Sequence, residues 1–422
     1  MTLTLTNFFG LLGGLLVLAF VTNRFSRRTR VPDVIVLLGC GIVLGPVLHW
    51  INADHFPELI RGVGTVALIL ILFAAGLEID LRRALKQFTA GMTLALISYG
   101  LTLASVAWFS MHILGMARMP ALLVAAALAC MSSSIILPTL DQLDLRHDLK
   151  TTLIIEASFG DGLGAIGVGV LLGLAGDGSI NARRSGGAIL GGVFALFLFK
   201  FLLAFVVAII AGFLWVRMLP RVSDKQFWQV LTFAVVLIVY SITDAIGGSA
   251  LFAIMVFGAT LASLLDPQNS MQQFGFEILS AGEGDKIHSF HSELAFLVRS
   301  FFFVLLGAMI QFNGLKKQLL PSLGILGVFL VTRIVAVSCS RIVWRGTSYR
   351  EREFATLLIP RGLITAVLAL EVIQAAPAGL SYFPSLTFAL ILFTNVLVLP
   401  ASIRARALAT TPASPANELP SP

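Results

Sequence analysis

Nine ionisable residues fall within or at the edges of long apolar runs in this 422-residue chain: Glu78, Glu156, Asp161, Lys200, Asp244, Arg299, Arg333, Arg361 and Glu371. If such runs cross a membrane, each charge costs at least about 2.5–3.5 kcal/mol on insertion scales and needs a reason. Position divides them. Glu78, Asp244, Arg299 and Glu371 lie near the ends of their runs, where anchoring or loop contact accounts for them, and Glu78 is kept as a possible accessory to a site. Lys200, in FLFKFLLAF, has a stem long enough to snorkel or to pair within a bundle. Glu156, Asp161, Arg333 and Arg361 remain as groups able to do chemistry at depth. A carboxylate kept out of water is stabilised by a proton, by a bound cation or by a buried arginine, and these options exclude one another.

The run TLIIEASFGDGLGAIGVGVLLG carries two of the four. Glu156 and Asp161 are five residues apart, about 140° around a helix, so they face different neighbours and have different jobs. Ser158 precedes Asp161 by three residues and shares its face, while Gly160, Gly162 and Gly164 leave room for water, an ion or a close helix. GLGAIG matches the dinucleotide fingerprint, but it lies inside a span with no strand before it, which argues against phosphate binding. Two other runs are interrupted: LLVAAALACMSSSIILPTL by serines and Pro138, and FATLLIPRGLITAVLALEV by Pro360, Arg361 and Gly362. One broken span in each half of a chain points to a transporter built from inverted repeats. His288, His291 and Glu293 have helical spacing, but without a further ligand they read as solvated loop residues. Cys40, Cys130 and Cys339 form no metal set and read as small core residues. No cofactor and no metal site is expected.

Helices have to position these groups. Hydrophobic residues make up 57% of the chain and charged residues 12%, against about 25% charged in soluble domains. Apolar runs of about twenty residues match a hydrocarbon core of ~30 Å at 1.5 Å per residue. A soluble enzyme, a secreted disulfide scaffold and a disordered chain are excluded, and an all-α polytopic membrane protein is expected. Blocks between charge clusters predict thirteen spans, at about 7–23, 31–51, 59–78, 88–114, 119–140, 151–175, 186–216, 226–243, 246–265, 294–312, 318–340, 354–375 and 383–403. The net charge of +7 sits in short loops and reads as a topology signal, not as a nucleic-acid face. Loops after odd-numbered spans, with the tail, hold nineteen Lys and Arg, and those after even-numbered spans hold six. That bias puts the N-terminus outside and the C-terminus in the cytoplasm, as an odd span count also requires. The opening MTLTLTNFFGLLGG lacks a basic region and a cleavage site, so the first span is expected to be retained. Residues 1–403 read as one transmembrane domain, with repeats at about 7–175 and 226–403 joined by a linker helix at 186–216. The longest loop, about 266–293, has the composition of a short interfacial helix, and 404–422 reads as a disordered cytoplasmic tail.

With these elements in order, the chain resembles the monovalent cation:proton antiporter superfamily, which includes sodium/hydrogen exchangers and the membrane domains of glutathione-gated potassium efflux systems. The likeness covers about residues 10–402, through LFAAGLEIDLRRALK, ALACMSSSIILPTL, EASFGDGLGAI, ITDAIGGSALFAIMVFGATLA, FFFVLLGAMI, VTRIVAVS and IPRGLITAVLAL. It implies an antiporter fold of two inverted repeats with broken crossing helices. Asp161 would bind the cation or the proton, with Ser158, Ser133 and Ser134 nearby as oxygen donors. Glu156 would pair with Arg333 in the core, and Pro138, Pro360, Arg361 and Gly362 would mark the helix breaks and their crossover. The resemblance further implies a homodimer in the plasma (inner) membrane, whose ion-binding core moves against a dimerisation domain. Two departures stand out. Gly160 occupies the place of the family's Asn or Asp, and serines replace the Thr-Asp-Pro of many members. A single ion-binding carboxylate implies electroneutral exchange of one Na+ or K+ for one H+.

Rival readings use the same residues. Lost ligands suit a channel-like or sensory protein that does not exchange ions. Arg361 as a counter-charge suits a carrier of an organic or anionic solute. No His-based triad, phosphate loop or metal motif supports an enzyme.

Overall fold

A computed structural model describes residues 5–29, 33–50, 57–79, 81–141, 143, 145–176, 186–222, 224–265, 283–309, 312–340, 349–375, 380 and 382–409. The elements are α1 (Leu5–Thr29), α2 (Asp33–Ile42) running into a π-helical turn at Val43–Val47, α3 (Pro57–Glu78), α4 (Leu81–His112), α5 (Arg118–Ala129), α6 (Ser133–Asp141), α7 (His147–Gly176) and α8 (Gly186–Met218). They continue with α9 (Trp228–Ala245), α10 (Ala250–Leu265), α11 (Glu283–Ala308), α12 (Phe312–Cys339), α13 (Tyr349–Leu357), α14 (Leu363–Ala375) and α15 (Phe383–Ala409). No strand occurs among the described residues. Among the described residues eight helical segments are long and apolar enough to cross a membrane, one of them the α5–α6 pair taken together, and shorter apolar helices accompany them. An all-helical interior follows from the solvent: in hydrocarbon every backbone N–H and C=O must be paired within the chain.

The fifth and twelfth apolar runs are each two helices. After α5 the chain extends at Cys130 (φ −73°, ψ 141°) before α6 begins at Ser133. Between α13 and α14 residues 358–362 are non-helical. Pro138 lies inside α6 and not at the break where its sequence position had suggested it. A proline there removes only one amide from a helix already under way. The segment 186–216 is one helix, α8, of 33 residues.

Two boundaries differ from expectation. α11 starts at Glu283, ahead of the predicted span at 294, because its charged opening is one-sided: Ile287 and His291 are buried while Lys286 and Ser289 are exposed. Hydropathy ends a span where charges begin, whereas burial of one face carries the helix on. α15 likewise runs through Arg404 and Arg406 to Ala409. Residues 266–282 of the long loop and 410–422 of the tail lie outside the described residues.

Packing sorts the helices into two bundles. α4 to α7 and α12 to α15 pack chiefly on one another and form a core bundle. α1 to α3 and α8 to α11 form a scaffold bundle, and the two meet mainly where α3 touches α14 and α6 and where α10 touches α7. In the scaffold, α3 and α10 approach backbone to backbone: a Cβ on Gly258 would lie 2.6 Å from the Phe73 carbonyl oxygen and 3.1 Å from the Gly76 Cα. Small residues at such crossings replace the hydrophobic drive that lipid does not supply. Apolar side chains of α1, α8 and α9, among them Phe20, Leu202, Ile210, Ile238 and Ile242, face outward.

Candidate ion-binding site

The middle of α7 brings Asp161, 1% exposed, against the start of α6. Its Oδ2 accepts hydrogen bonds from the Ser133 hydroxyl at 2.5 Å and from the Ser133 amide at 3.4 Å. The carboxylate thus caps a half-helix N-terminus, where unpaired amides and the helix dipole favour negative charge. Its Oδ1 is buried and has no hydrogen-bond partner among the described residues, and the same holds for the Ser158 hydroxyl one turn earlier on α7. Asp161 forms no ion pair among the described residues. On another face of α7, Phe159 stacks on Phe201 of α8 at 5.0 Å and meets Phe252 of α10 edge-on at 4.9 Å, an aromatic cluster that packs α7 against the scaffold.

The two breaks hold each other. The Ser132 amide donates to the Pro360 carbonyl at 3.0 Å, and Arg361 Nη1 donates to the Cys130 carbonyl at 2.8 Å. These bonds satisfy backbone groups that unwinding would otherwise leave bare. The Arg361 guanidinium, 2% exposed, lies over the Phe329 ring at 4.3 Å. α15 steadies the second break: Thr394 Oγ1 accepts the Arg361 amide at 3.1 Å, and Asn395 Nδ2 donates to the Arg361 carbonyl at 2.9 Å. A Cβ on Gly362 would crowd the Ser132 hydroxyl and the Ile135 side chain of the facing break, so any larger residue would have to displace them.

Glu156 faces the other way, as its 140° offset requires. Arg333 Nη1 reaches its Oε1 and Nη2 reaches its Oε2 at 3.0 Å. The Ser98 hydroxyl donates to Glu156 Oε1 at 3.0 Å, and Arg333 Nε donates to the Ala355 carbonyl at 2.9 Å. This fork-to-carboxylate pair joins α7, α12, α4 and the end of α13 deep inside the core bundle.

Asp161, Ser133, Pro360, Arg361 and Gly362 therefore converge around the two breaks, with Ser158 buried one turn before Asp161 on α7. Ser134 lies next to them, but its hydroxyl bonds Ser132 Oγ at 2.7 Å and not Asp161. Pro138 is deeper in α6, and Glu78 is exposed at the end of α3, its Oε1 3.6 Å from His288 Nε2 and away from Asp161.

Other residues lie where the sequence did not put them. Arg299 is largely buried and ion-paired with Asp33 at 2.9 Å, not anchored at a span end. His291 is fully buried, its Nδ1 at 2.7 Å from the Ile287 carbonyl and its ring packed edge-on to Phe73, because α11 begins earlier than hydropathy shows. Cys130 is core, whereas Cys339 is exposed on α12. Thr394, Asn395, Ser98 and Asp33 were missed as partners. Thr394-Asn395 was visible as two polar residues inside LILFTNVLVLP. No group of three or more His, Cys, Asp or Glu among the described residues could hold a metal ion.

A helical membrane bundle with two broken helices crossing beside a buried carboxylate that has no ion-pair partner among the described residues defines the class: a membrane carrier of small ions. A family model described as the transmembrane part of sodium/hydrogen exchangers matches residues 15–405, and the chain belongs to that family. Na(+)/H(+) antiporter 1 of Methanocaldococcus jannaschii is 24% identical over 86% of this chain and 82% of its own length. K(+)/H(+) antiporter NhaP of Alkalimonas amylolytica is 25% identical over 85% of this chain and 59% of its own. The fold is that of the sodium proton antiporter MjNhaP1 from Methanocaldococcus jannaschii, solved at pH 8: the TM-score is 0.74 at 22% identity, covering 94% of this chain and 100% of that one.

Proposed function

We propose that the protein is a secondary active antiporter that exchanges a monovalent cation, Na+ or K+, for H+ at Asp161. The observation that carries this is the state of that carboxylate: buried, held through Oδ2 by Ser133 and, among the described residues, without a hydrogen-bond partner at Oδ1 or an ion-paired arginine or lysine. A carboxylate so placed is stable only with a proton or a cation upon it, and one excludes the other. Ser158 and Ser133 supply neutral oxygens beside it, while Ser134 helps hold the break. If the core bundle rocks against the scaffold only when Asp161 is occupied, the two fluxes are coupled without any covalent step. One exchanging carboxylate makes the cycle electroneutral.

The same reading takes the halves 7–175 and 226–403 as inverted repeats, Glu156–Arg333 as a structural pair, and the protein as a homodimer in the plasma membrane with its C-terminus in the cytoplasm. The outward apolar faces of α1, α8 and α9 suit lipid or a second copy. An anionic solute finds less here, since Arg361 commits Nη1 to the Cys130 carbonyl and its flat face to Phe329. The test uses proteoliposomes with an imposed pH gradient and a pH-sensitive dye, adding Na+, K+ and Li+ in turn. Dye recovery with one cation is expected, and its loss in Asp161→Asn that still folds. Normal exchange by that variant, or no response of folded wild-type protein to any of the three, would overturn the proposal.

A further inference from the structure

α6 carries Ser133, and one of its carbonyls has lost its ordinary partner. In a helix spanning Ser133–Asp141 the Ser134 carbonyl would accept the amide of residue 138, but residue 138 is proline and has no amide hydrogen. The acceptor is not left bare. Arg299 of α11 reaches it with Nη1 at 3.3 Å. The same guanidinium is fixed from behind, since Nη2 bonds Asp33 Oδ2 at 2.9 Å while Asp33 Oδ1 accepts the Val34 amide at 3.0 Å. Both side chains are largely buried, 13% and 14% exposed.

The arrangement crosses the boundary between the bundles. Asp33 and Arg299 belong to α2 and α11 of the scaffold, and Ser134 belongs to the core helix whose preceding residue holds Asp161. We propose that Arg299 is a positioning residue for the exchange site: it grips the carbonyl that Pro138 frees and so ties the half-helix bearing Ser133 to the Asp33–Arg299 pair of the scaffold. Pro138 then has a purpose distinct from breaking the helix, because it exposes an acceptor to a second element. The grip positions the Ser133 hydroxyl and amide against Asp161 without Arg299 touching the ion. When core and scaffold move relative to each other, this bond has to lengthen or break, so it also biases the protein toward one arrangement. The inference rests on the exchange reading of Asp161.

The experiment is a double-mutant cycle on the full chain in proteoliposomes, reading both the half-saturating cation concentration and the maximal rate. Arg299→Gln keeps a donor but loses the charge that pairs with Asp33, and is expected to shift half-saturation about tenfold. Pro138→Ala supplies an amide to the Ser134 carbonyl. In the double variant, measured against Pro138→Ala alone, the Arg299→Gln shift should shrink to about twofold. Strictly additive effects would overturn the proposal, since Arg299 would then act through something other than that carbonyl. Arg299→Lys covers a failure of Arg299→Gln to fold: it keeps the charge but not the fork, and should show a smaller shift that Pro138→Ala again reduces. Absence of that reduction counts against the proposal in the same way. Asp161→Asn is run alongside, so that exchange surviving in it marks failure of the site assignment and not of the Arg299 link.

Discussion

Glu156→Leu is expected to destabilise the protein more than the double change Glu156→Leu/Arg333→Met. Arg333 is 3% exposed and Glu156 2%, so neither can turn to water when its partner is removed. Taking one member from a buried pair strands the other charge and costs about 3–5 kcal/mol, whereas apolar replacement of both is neutral or stabilising in several proteins. Here the double change still leaves the Ala355 carbonyl without the Arg333 Nε donor, a loss of about 1–3 kcal/mol. Ser98 loses both of its charged neighbours, but its hydroxyl can rotate to another acceptor. Unfolding entropy of about 2.1 cal/mol/K per residue gives roughly 0.9 kcal/mol/K for the chain, or about 1 °C for each kcal/mol. The single variant should therefore melt about 3–6 °C below wild type and the double variant about 1–3 °C below. Melting in one detergent at one scan rate, followed by the loss of monodisperse protein, reads the difference; the fixed rate matters because unfolding of a polytopic chain is commonly irreversible. A double variant that melts lower than the single one would refute the reasoning, because the two charges would then act independently.

Further expectations are narrower. Gly258→Val drives a branched side chain into the Phe73 carbonyl and Gly76 of α3, and the overpacking should cost about 1–3 kcal/mol or more in detergent melting; unchanged melting would mean the crossing is looser than described. Asn395→Leu removes the donor to the Arg361 carbonyl at the second break, with a loss of about 1–3 kcal/mol and slower exchange in proteoliposomes; a variant of full rate would show that α15 does not steady the break. Gly160→Asp has room, since the nearest atom to a Cβ there is the Met131 amide nitrogen at 3.7 Å. It adds a second carboxylate beside Asp161, so exchange should become sensitive to an imposed membrane potential while wild-type exchange is not. Potential-driven acceleration of the wild type would by itself refute the electroneutral reading.

Helix content and the two interrupted runs were legible because hydrocarbon imposes a coarse code: about twenty apolar residues for a crossing, and Pro, Gly or serines where a crossing is broken. What escaped that code was one-sided burial. The amphipathic opening of α11 hid a buried His291 behind charged neighbours, and Arg299 read as an end-of-span anchor because its partner Asp33 is remote in sequence. Pro138 was read as the break since proline is the strongest local punctuation, yet the chain unwinds earlier, at Cys130, where the Pro360 and Cys130 carbonyls find donors on the opposite break. Long-range pairing decided that point, and no local pattern encodes it.

On the proposed exchange reading, pairing also decides which carboxylate can exchange. Glu156 and Asp161 sit on one helix and are equally buried, so depth does not separate them. Glu156 has both oxygens bound by Arg333, and protonating it or giving it to a cation would strand a guanidinium with no path to water. Asp161 faces a serine and a helix start, with Arg361 near but not ion-paired to it, and among the described residues its remaining oxygen has no partner. A proton or a cation there completes an unfinished shell without stranding another charge. The nearby Arg361 does not close that option, because its guanidinium is held by the Cys130 carbonyl and the Phe329 ring. On that reading the two arginines have opposite consequences: Arg333 removes one carboxylate from exchange, and Arg361, tied to the backbone of the break, leaves the other available to trade its proton.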